Sequence, residues 1–360
     1  MSRHPRHCRA TAVAALLACL LPVVSARAAE DVTARFSMRT MGTTATVTLA
    51  GADSSALAPL AARALRTFAR VDSLMSNWTT TSDVARLNRA LADAEPYDAL
   101  PVGPETSKVL EAALHIAAAS GGAFDPTVEP LVRLWGFLGG RPTRPDSADI
   151  QALLPRVGHR ALAWDAPRRV LQPARAGLQI DLGGIAKGYA VDCVRDSLQR
   201  MGVTDALIDL SGNIAQLGSP PGREHWRLGL RDPANRDATL GTLTLTRAAV
   251  ATSGDYEQFV AADGRRYGHI LDPRSGWPAD SLASVTVLMD SAMEADAWAT
   301  ALCVMGPTAA KKLAAARDDM DVILVERREE GPDLIWVEAS LAGSYSMSSG
   351  DGAGYRLHRF

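Results

Sequence analysis

The stretch "IDLGGIAKGYAVD", Ile180–Asp192, leads from an apolar segment through two glycines into a helical pattern. Strand, glycine turn and helix start, in that order, have the outline of a phosphate cradle. Glycine lets backbone approach a ligand closely, and a helix start presents unpaired N–H groups at the positive end of its dipole. The spacing matches neither a P-loop nor a G-x-G-x-x-G fingerprint. Lys187 falls in the first turn and can supply a point charge. Asp181 is an odd neighbour for a phosphate unless it accepts hydrogen bonds from a base or a hydroxyl. Gly183 and Gly184 read equally well as packing a helix against a sheet, and the stretch alone leaves both readings open.

Outward from this stretch the chain alternates strand and helix patterns. "TATVTLA" (44–50) alternates as a strand does, and residues 55–75 carry Leu57, Leu60, Ala64, Leu65, Phe68 and Val71 at helical spacing. "SDVARLNRAL" reads as a short helix with Ser82 as N-cap, and "ETSKVLEAALHIAAASGGAF" as an amphipathic helix ending at a glycine pair. His115 in that helix reads as a packed histidine. A Pro-, Arg- and Asp-rich segment over 141–173 reads as a loop, a short helix and hairpin-like strands. Beyond the opening stretch come a helix from about Ile185 to Met201, strands at 205–218, 225–233 and 241–254, and a loop at 267–279. A strand at 281–289, a helix at 291–306 closed by Gly306, a further helix and the strand "DVILVE" follow. The order predicts an α/β or α+β protein, one domain over 33–360 with a large mixed sheet flanked by helices.

With 360 residues, 47% hydrophobic and 22% charged, the chain has ample material for a core. A formal net charge of −2 gives no basic excess for nucleic acid. Residues 1–28 have the plan of a secretory signal peptide: Arg3, Arg6 and Arg9, an apolar run from about Ala10 to Val24, then Ala26 and Ala28 as an A-x-A site. "LLAC" (16–19) offers a second reading, a lipobox with Cys19 as a lipidated N-terminus. Both place the protein outside the cytoplasm, in the periplasm, with membrane attachment only through such a lipid. Removing the leader takes away four arginines and no acids, which leaves 34 basic residues against 40 acidic ones. Cys193 and Cys303 lie in apolar helical patterns and read as small buried hydrophobes, with a bridge between them left open.

Several other places could carry chemistry. Asp296 and Thr300 are four apart on a predicted helix and face one way. A carboxylate and a hydroxyl suit a hard cation, although an exposed Asp with Thr bonding its own i−4 carbonyl is the commoner arrangement. His269 sits in a loop after glycine and before an X-Pro turn, where general bases are found, as are plain surface histidines. "SGGAFDPTVEP" reads as a turn around Asp125. Trp78, at a helix end, could stack on a flat ring.

Together the segments "MGTTATV", "VDSLMSNW", "GGAFDPTVEPLVRLWGF", "IDLGGIAKGYAVD", "ALIDLSGNIAQLG", "ATSGDYEQF", "HILDPRSG" and "EADAWATAL" resemble the ApbE family, the FAD:protein FMN transferases, in order and over nearly the whole chain after the leader. The resemblance implies a single ApbE-type domain with FAD in a cleft between sub-regions and Mg²⁺ at its pyrophosphate. It implies transfer of FMN from FAD to a Thr or Ser hydroxyl of a target redox protein, within a Ser/Thr-Gly-Ala-Ser/Thr-type motif, with release of AMP. Met41, Trp78, Ala123, Phe124, Asp125, Asp181, Lys187 and Ile270 match FAD-contacting positions. Asp296, Thr300 and the carbonyl of Gly184 match the metal positions, and His269 matches the base. Trp78 stands where many relatives have Tyr, and Gln258 where a basic residue often follows Tyr-Glu. The alternatives are a hydrolase of the same fold that splits FAD to FMN and AMP, and a non-catalytic exported flavin-binding protein.

Overall fold

The computed structural model describes residues 32–51, 53–348 and 354–360. The leader expected over 1–28, with Cys19, lies outside the described residues. From Asp31 to Phe360 the chain forms one compact unit, and among the described residues no helix is long and apolar enough to cross a membrane.

A nine-stranded sheet organises the molecule, and its spatial order follows chain order: Val32–Thr40, Thr43–Gly51, Ala206–Leu210, Asn213–Leu217, Ala249–Gly254, Leu282–Met289, Asp321–Glu326, Asp333–Val337, Tyr355–Arg359. Neighbours are antiparallel except the last pair, which is parallel, so the sheet is mixed as expected. The first two strands meet in a two-residue turn at Met41 and Gly42, both at positive φ (48° and 72°). That geometry matches the twist of the flanking strands.

Seven helices are described: α1 (Ser54–Met75), α2 (Asp83–Asp93), α3 (Pro104–Ala119), α4 (Glu129–Leu134), α5 (Ser147–Leu153), α6 (Ala186–Arg200) and α7 (Ala292–Ala314). Helices α1, α6 and α7 cover one face of the sheet. Each buries a stripe at helical spacing, for example Leu57, Ala61, Ala64, Phe68, Val71 and Met75 on α1. Ser82 caps α2, its hydroxyl accepting from the Ala85 amide at 2.9 Å. In α7 the backbone leaves helical geometry at Gly306 (φ 75°), where the sequence predicts a helix end, and resumes from Pro307.

The other face is covered by strands instead of helices. A three-stranded sheet of Arg227–Arg231, Thr239–Thr244 and Tyr345–Met347 packs Leu230, Leu240, Leu243 and Tyr345 against it. The strand Leu282–Met289 is therefore buried along its whole length. Val285, Val287 and Met289 join the helix-side core, and Ala283 and Leu288 the opposite one. A third cluster, around Leu131, Trp135, Phe137, Ile150 and Leu271, joins α4 and α5 to the hairpin Phe259–Ala262/Arg265–Gly268. His115 departs from the sequence reading. The buried stripe of α3 runs through Val109, Leu110, Ala113, Ile116 and Ala117, and His115 falls off it and is exposed. Cys303 is buried, Cys193 is half-buried, and both are free thiols.

Helices α6 and α7 cross at Gly188. A Cβ built there would lie 2.1 Å from the Ala292 carbonyl oxygen and 2.8 Å from Met293 Cα, both backbone. Gly188→Ala must part the helices. It should cost about 1–3 kcal/mol, the range for overpacking, and lower the thermal midpoint by several degrees. Gly343→Ala, where a Cβ meets nothing within 4 Å, should leave the midpoint unchanged in the same melts.

Candidate functional site

The glycine turn of the opening stretch lies where α6 begins, and its neighbours fix it on every side. The segment entering it is held by α2: the Ile180 amide donates to Asn88 Oδ1 at 2.6 Å, and Asn88 Nδ2 donates back to the Ile180 carbonyl at 2.8 Å. Asn77 Nδ2 donates to the same carbonyl at 3.1 Å. The next residue, Trp78, is 68% exposed, so its indole is open for stacking. Asn88 was not singled out by the sequence reading, although a signal existed: it is the polar member of an otherwise apolar stripe, Val84, Leu87, Asn88, Leu91.

Asp181 turns back on its own loop, accepting from the Gly183 amide at 2.6 Å. Burial pushes its pKa up, against that hydrogen bond and the charge of Lys187. Lys187 Nζ donates to the Gly183 carbonyl at 2.9 Å and stands 3.9 Å from Asp296 Oδ1. The start of α6 differs from the phosphate cradle its sequence suggests. The Gly188 amide donates to Asp296 Oδ2 at 3.0 Å, so the helix start is directed at a carboxylate of the protein's own α7. Asp296 is buried, not exposed. Burial raises its pKa, opposed by Lys187 and the Gly188 amide.

Thr300 does bond its i−4 carbonyl: Oγ1 donates to the Asp296 carbonyl at 3.2 Å. That use of its proton leaves the hydroxyl lone pairs free to accept, with Ser253 Oγ at 3.3 Å. A Cβ on Gly184 would come within 3.3 Å of Thr300 Oγ1 and 3.2 Å of the Phe124 ring. Gly184, Thr300 and Phe124 are therefore brought together, with Asp296 one turn before Thr300. Asn213, buried on the adjacent strand, has an Oδ1 with no hydrogen-bond partner among the described residues. A buried carboxylate and a hydroxyl with free lone pairs are oxygen donors of the kind hard divalent cations take.

His269 follows the Phe259–Gly268 hairpin, its amide donating to the Gln258 carbonyl at 3.1 Å. Its ring meets the edge of Phe137 at 6.3 Å between centroids. Nδ1 is sealed from solvent without a partner among the described residues, which leaves Nε2 as the nitrogen available to a ligand. Burial first, and Lys187 second, lower its pKa to about 4. The imidazole is thus neutral at neutral pH and able to accept a proton. Lys187 acts on Asp181, Asp296 and His269 alike.

The remaining sequence-predicted positions fall around this cluster. Met41 sits at the hairpin tip, its amide donating to Asp72 Oδ2 at 2.8 Å. Ala123, Phe124 and Ile270 are buried, with the Phe124 amide donating to Ser120 Oγ at 3.1 Å. Asp125 is fully engaged within the protein: Oδ1 accepts from the Thr127 amide (2.8 Å) and hydroxyl (2.6 Å), and Oδ2 lies 2.7 Å from the His159 amide and 2.8 Å from His159 Nδ1. Burial works to raise its pKa, but the bonds from His159 and Thr127 outweigh it and hold the carboxyl below its usual range. His159 was not foreseen, and nothing in its local sequence marks it.

The comparisons with known proteins agree with one another. The model of the ApbE family matches residues 41–324. A FAD:protein FMN transferase of Klebsiella pneumoniae (strain 342) is 35% identical over 275 residues, 75% of this chain and 83% of that protein. The FAD:protein FMN transferase of Escherichia coli (strain K12) is 30% identical over 295 residues, 80% of this chain and 83% of that protein. The structure of the flavin transferase ApbE from Vibrio cholerae matches with a TM-score of 0.75 at 30% identity, over 87% of this chain and 99% of that one. The ApbE protein of Thermotoga maritima matches with a TM-score of 0.74 at 29% identity, over 90% of this chain and 99% of that one.

The His269 environment can be read directly by NMR. Its ring resonances should titrate with a midpoint at about pH 4. Lys187→Met should move that midpoint upward by removing a cation. A midpoint near the ordinary histidine value of about 6.5 in the native chain would contradict the site as described.

Proposed function

The chain belongs to the ApbE family, and we propose that it moves FMN from FAD onto a Ser or Thr hydroxyl of a target redox protein, releasing AMP. The observation that carries this reading is the convergence on Lys187 of a buried carboxylate, Asp296, and a neutral imidazole, His269. Phosphoryl chemistry on a dinucleotide needs compensation of phosphate charge and a group that takes a proton at neutral pH. Both are available within one cluster.

In this reading the acceptor hydroxyl gives its proton to His269 as its oxygen bonds to the FMN phosphorus. The phosphoanhydride bond to the AMP side breaks, and AMP leaves with the bridging oxygen. Lys187 adds fixed positive charge beside the diphosphate. Trp78 offers an exposed aromatic face to a ring of FAD, and Phe124 with Ile270 offers apolar surface beside Gly184 and His269. Asp181, whose pKa burial pushes upward, suits hydrogen bonding to a flavin or adenine edge.

A divalent cation, Mg²⁺, fits the donors present. Asp296, Thr300 and the Gly184 carbonyl would hold it, and when bound it supplies Lewis-acid neutralisation of phosphate oxygens. Asp296 is suited to this because burial disfavours its charge and Lys187, at 3.9 Å, compensates only in part. The leader over 1–28 supports a periplasmic location, with either cleavage after Ala28 or lipid on Cys19.

Two variants test the assignment. With FAD, Mg²⁺ and an acceptor peptide carrying a Thr-Gly-Ala-Thr motif, Asp296→Asn should lose its response to added Mg²⁺. His269→Gln should bind FAD with its affinity intact yet flavinylate the peptide roughly 10²–10⁴-fold more slowly, the usual contribution of a general base. Intact mass of the peptide reads transfer, and fluorescence quenching reads FAD binding. Undiminished transfer in His269→Gln would remove it as the base, and AMP release at full rate without any acceptor would assign the chain to FAD hydrolysis.

A further inference from the structure

One buried polar side chain is left over from the site. Asn213 opens the strand Asn213–Leu217 and is 2% exposed. Its register partners on either side, Leu210 and Ala251, are apolar and buried. Its Oδ1 is sealed from solvent with no hydrogen-bond partner among the described residues. A buried acceptor left unmet is costly, and a leucine would fill much the same space without that cost. An amide at this place needs a reason other than packing.

Position supplies one. Side chains alternate across a strand, so Asn213 shares a face with Ala215, which belongs to the helix-side core. On the neighbouring strand Ala251 pairs with Asn213. Ser253, two residues further and on the same face, has its Oγ 3.3 Å from Thr300 Oγ1. Asn213 therefore lies under α6 and α7 where they cross, and Asp296 stands there one turn before Thr300. The Asn213 side chain is within hydrogen-bonding reach of the Asp296 carboxylate. A carboxylate only accepts, so the NH₂ group of the amide must face it and the oxygen is turned away. The orphan oxygen is thus the consequence of serving Asp296. That carboxylate is held from α6 by the Gly188 amide at 3.0 Å, with Lys187 Nζ at 3.9 Å. Asn213 approaches it from the sheet, and a group held from two elements keeps one orientation.

We propose that Asn213 is a positioning residue for the divalent-cation site, its amide fixing the Asp296 carboxylate in the orientation that takes the cation. The inference rests on the reading of Asp296 as a cation ligand. Groups that orient a metal ligand set metal affinity by about 10–100-fold.

The test uses the full chain with FAD and no acceptor. Mn²⁺, which takes the same kind of oxygen donors, is the probe, and electron paramagnetic resonance counts the free ion. Asn213→Leu should bind Mn²⁺ roughly 10–100-fold more weakly than the native chain. Its melting midpoint without metal should hold or rise, because the orphan oxygen is gone. Its FAD affinity without metal, read by fluorescence quenching, should be unchanged. Asn213→Ser should show the same fall in Mn²⁺ affinity, and it carries the test if the leucine variant does not fold. Native Mn²⁺ affinity in a folded variant would overturn the inference. So would losses of melting midpoint and FAD affinity that accompany the loss of Mn²⁺, since those are the marks of a merely structural residue. Asp296→Asn separates the two readings. If the native chain binds no Mn²⁺, or Asp296→Asn binds it equally well, the cation site itself is refuted. If Asp296→Asn loses Mn²⁺ while both Asn213 variants keep it, only the positioning role falls.

Discussion

Helices α6 and α7 cap each other, and the site depends on that exchange. Asp296 of α7 accepts from the Gly188 amide in the first turn of α6 at 3.0 Å. Asp192 of α6 accepts from the Ala292 and Met293 amides at the start of α7, both at 3.0 Å, and from the Ser291 hydroxyl at 2.8 Å. Each helix thus supplies the anion that the other's positive end requires. The exchange is possible only because Gly188 has no side chain and lets the two backbones touch. Asp296 is thereby fixed before any ligand arrives, with its geometry set by backbone and not by a flexible partner.

This arrangement produces an electrostatic imbalance at one point. Two carboxyl groups, Asp181 and Asp296, have their pKa values raised by burial, although Lys187 opposes both and Arg133 also acts on Asp181; the same lysine depresses His269. Perturbed groups of both signs gathered in one place are what an active site requires. Asp125 shows the contrast nearby: four hydrogen bonds meet its carboxylate and hold its pKa down.

Much of the architecture was legible in the sequence, for definite reasons. The stripes of α1 and α2 and the alternation of Thr43–Gly51 each reflect one buried face, and such faces have a period. The small hairpin Phe259–Ala262/Arg265–Gly268 was not read as strands because it is short and mostly exposed. Its turn, Asp263-Gly264 at φ 52° and 70°, carried the one available signal. The motif residues Lys187, Asp296 and His269 were identified through resemblance, and spacing alone left each ambiguous. What no local pattern could reveal is pairing at a distance: that the start of α6 faces a carboxylate 108 positions away instead of an open phosphate site, or that Asp125 is tied to His159. Those contacts belong to the tertiary fold, and short-range spacing holds no record of them.

The order of strands in the main sheet equals their order along the chain. A sheet of this kind can be laid down edge by edge from its N-terminal strand, each strand finding its neighbour already in place. The long excursion between Thr43–Gly51 and Ala206–Leu210, which holds α1 to α6, is the one large loop to be closed. The glycine turn and Lys187 are therefore present well before α7, and Asp296 is the late arrival. Six of the nine strands precede Asp296 in the chain, so the contact that joins the two halves of the site comes from a segment that follows most of the sheet.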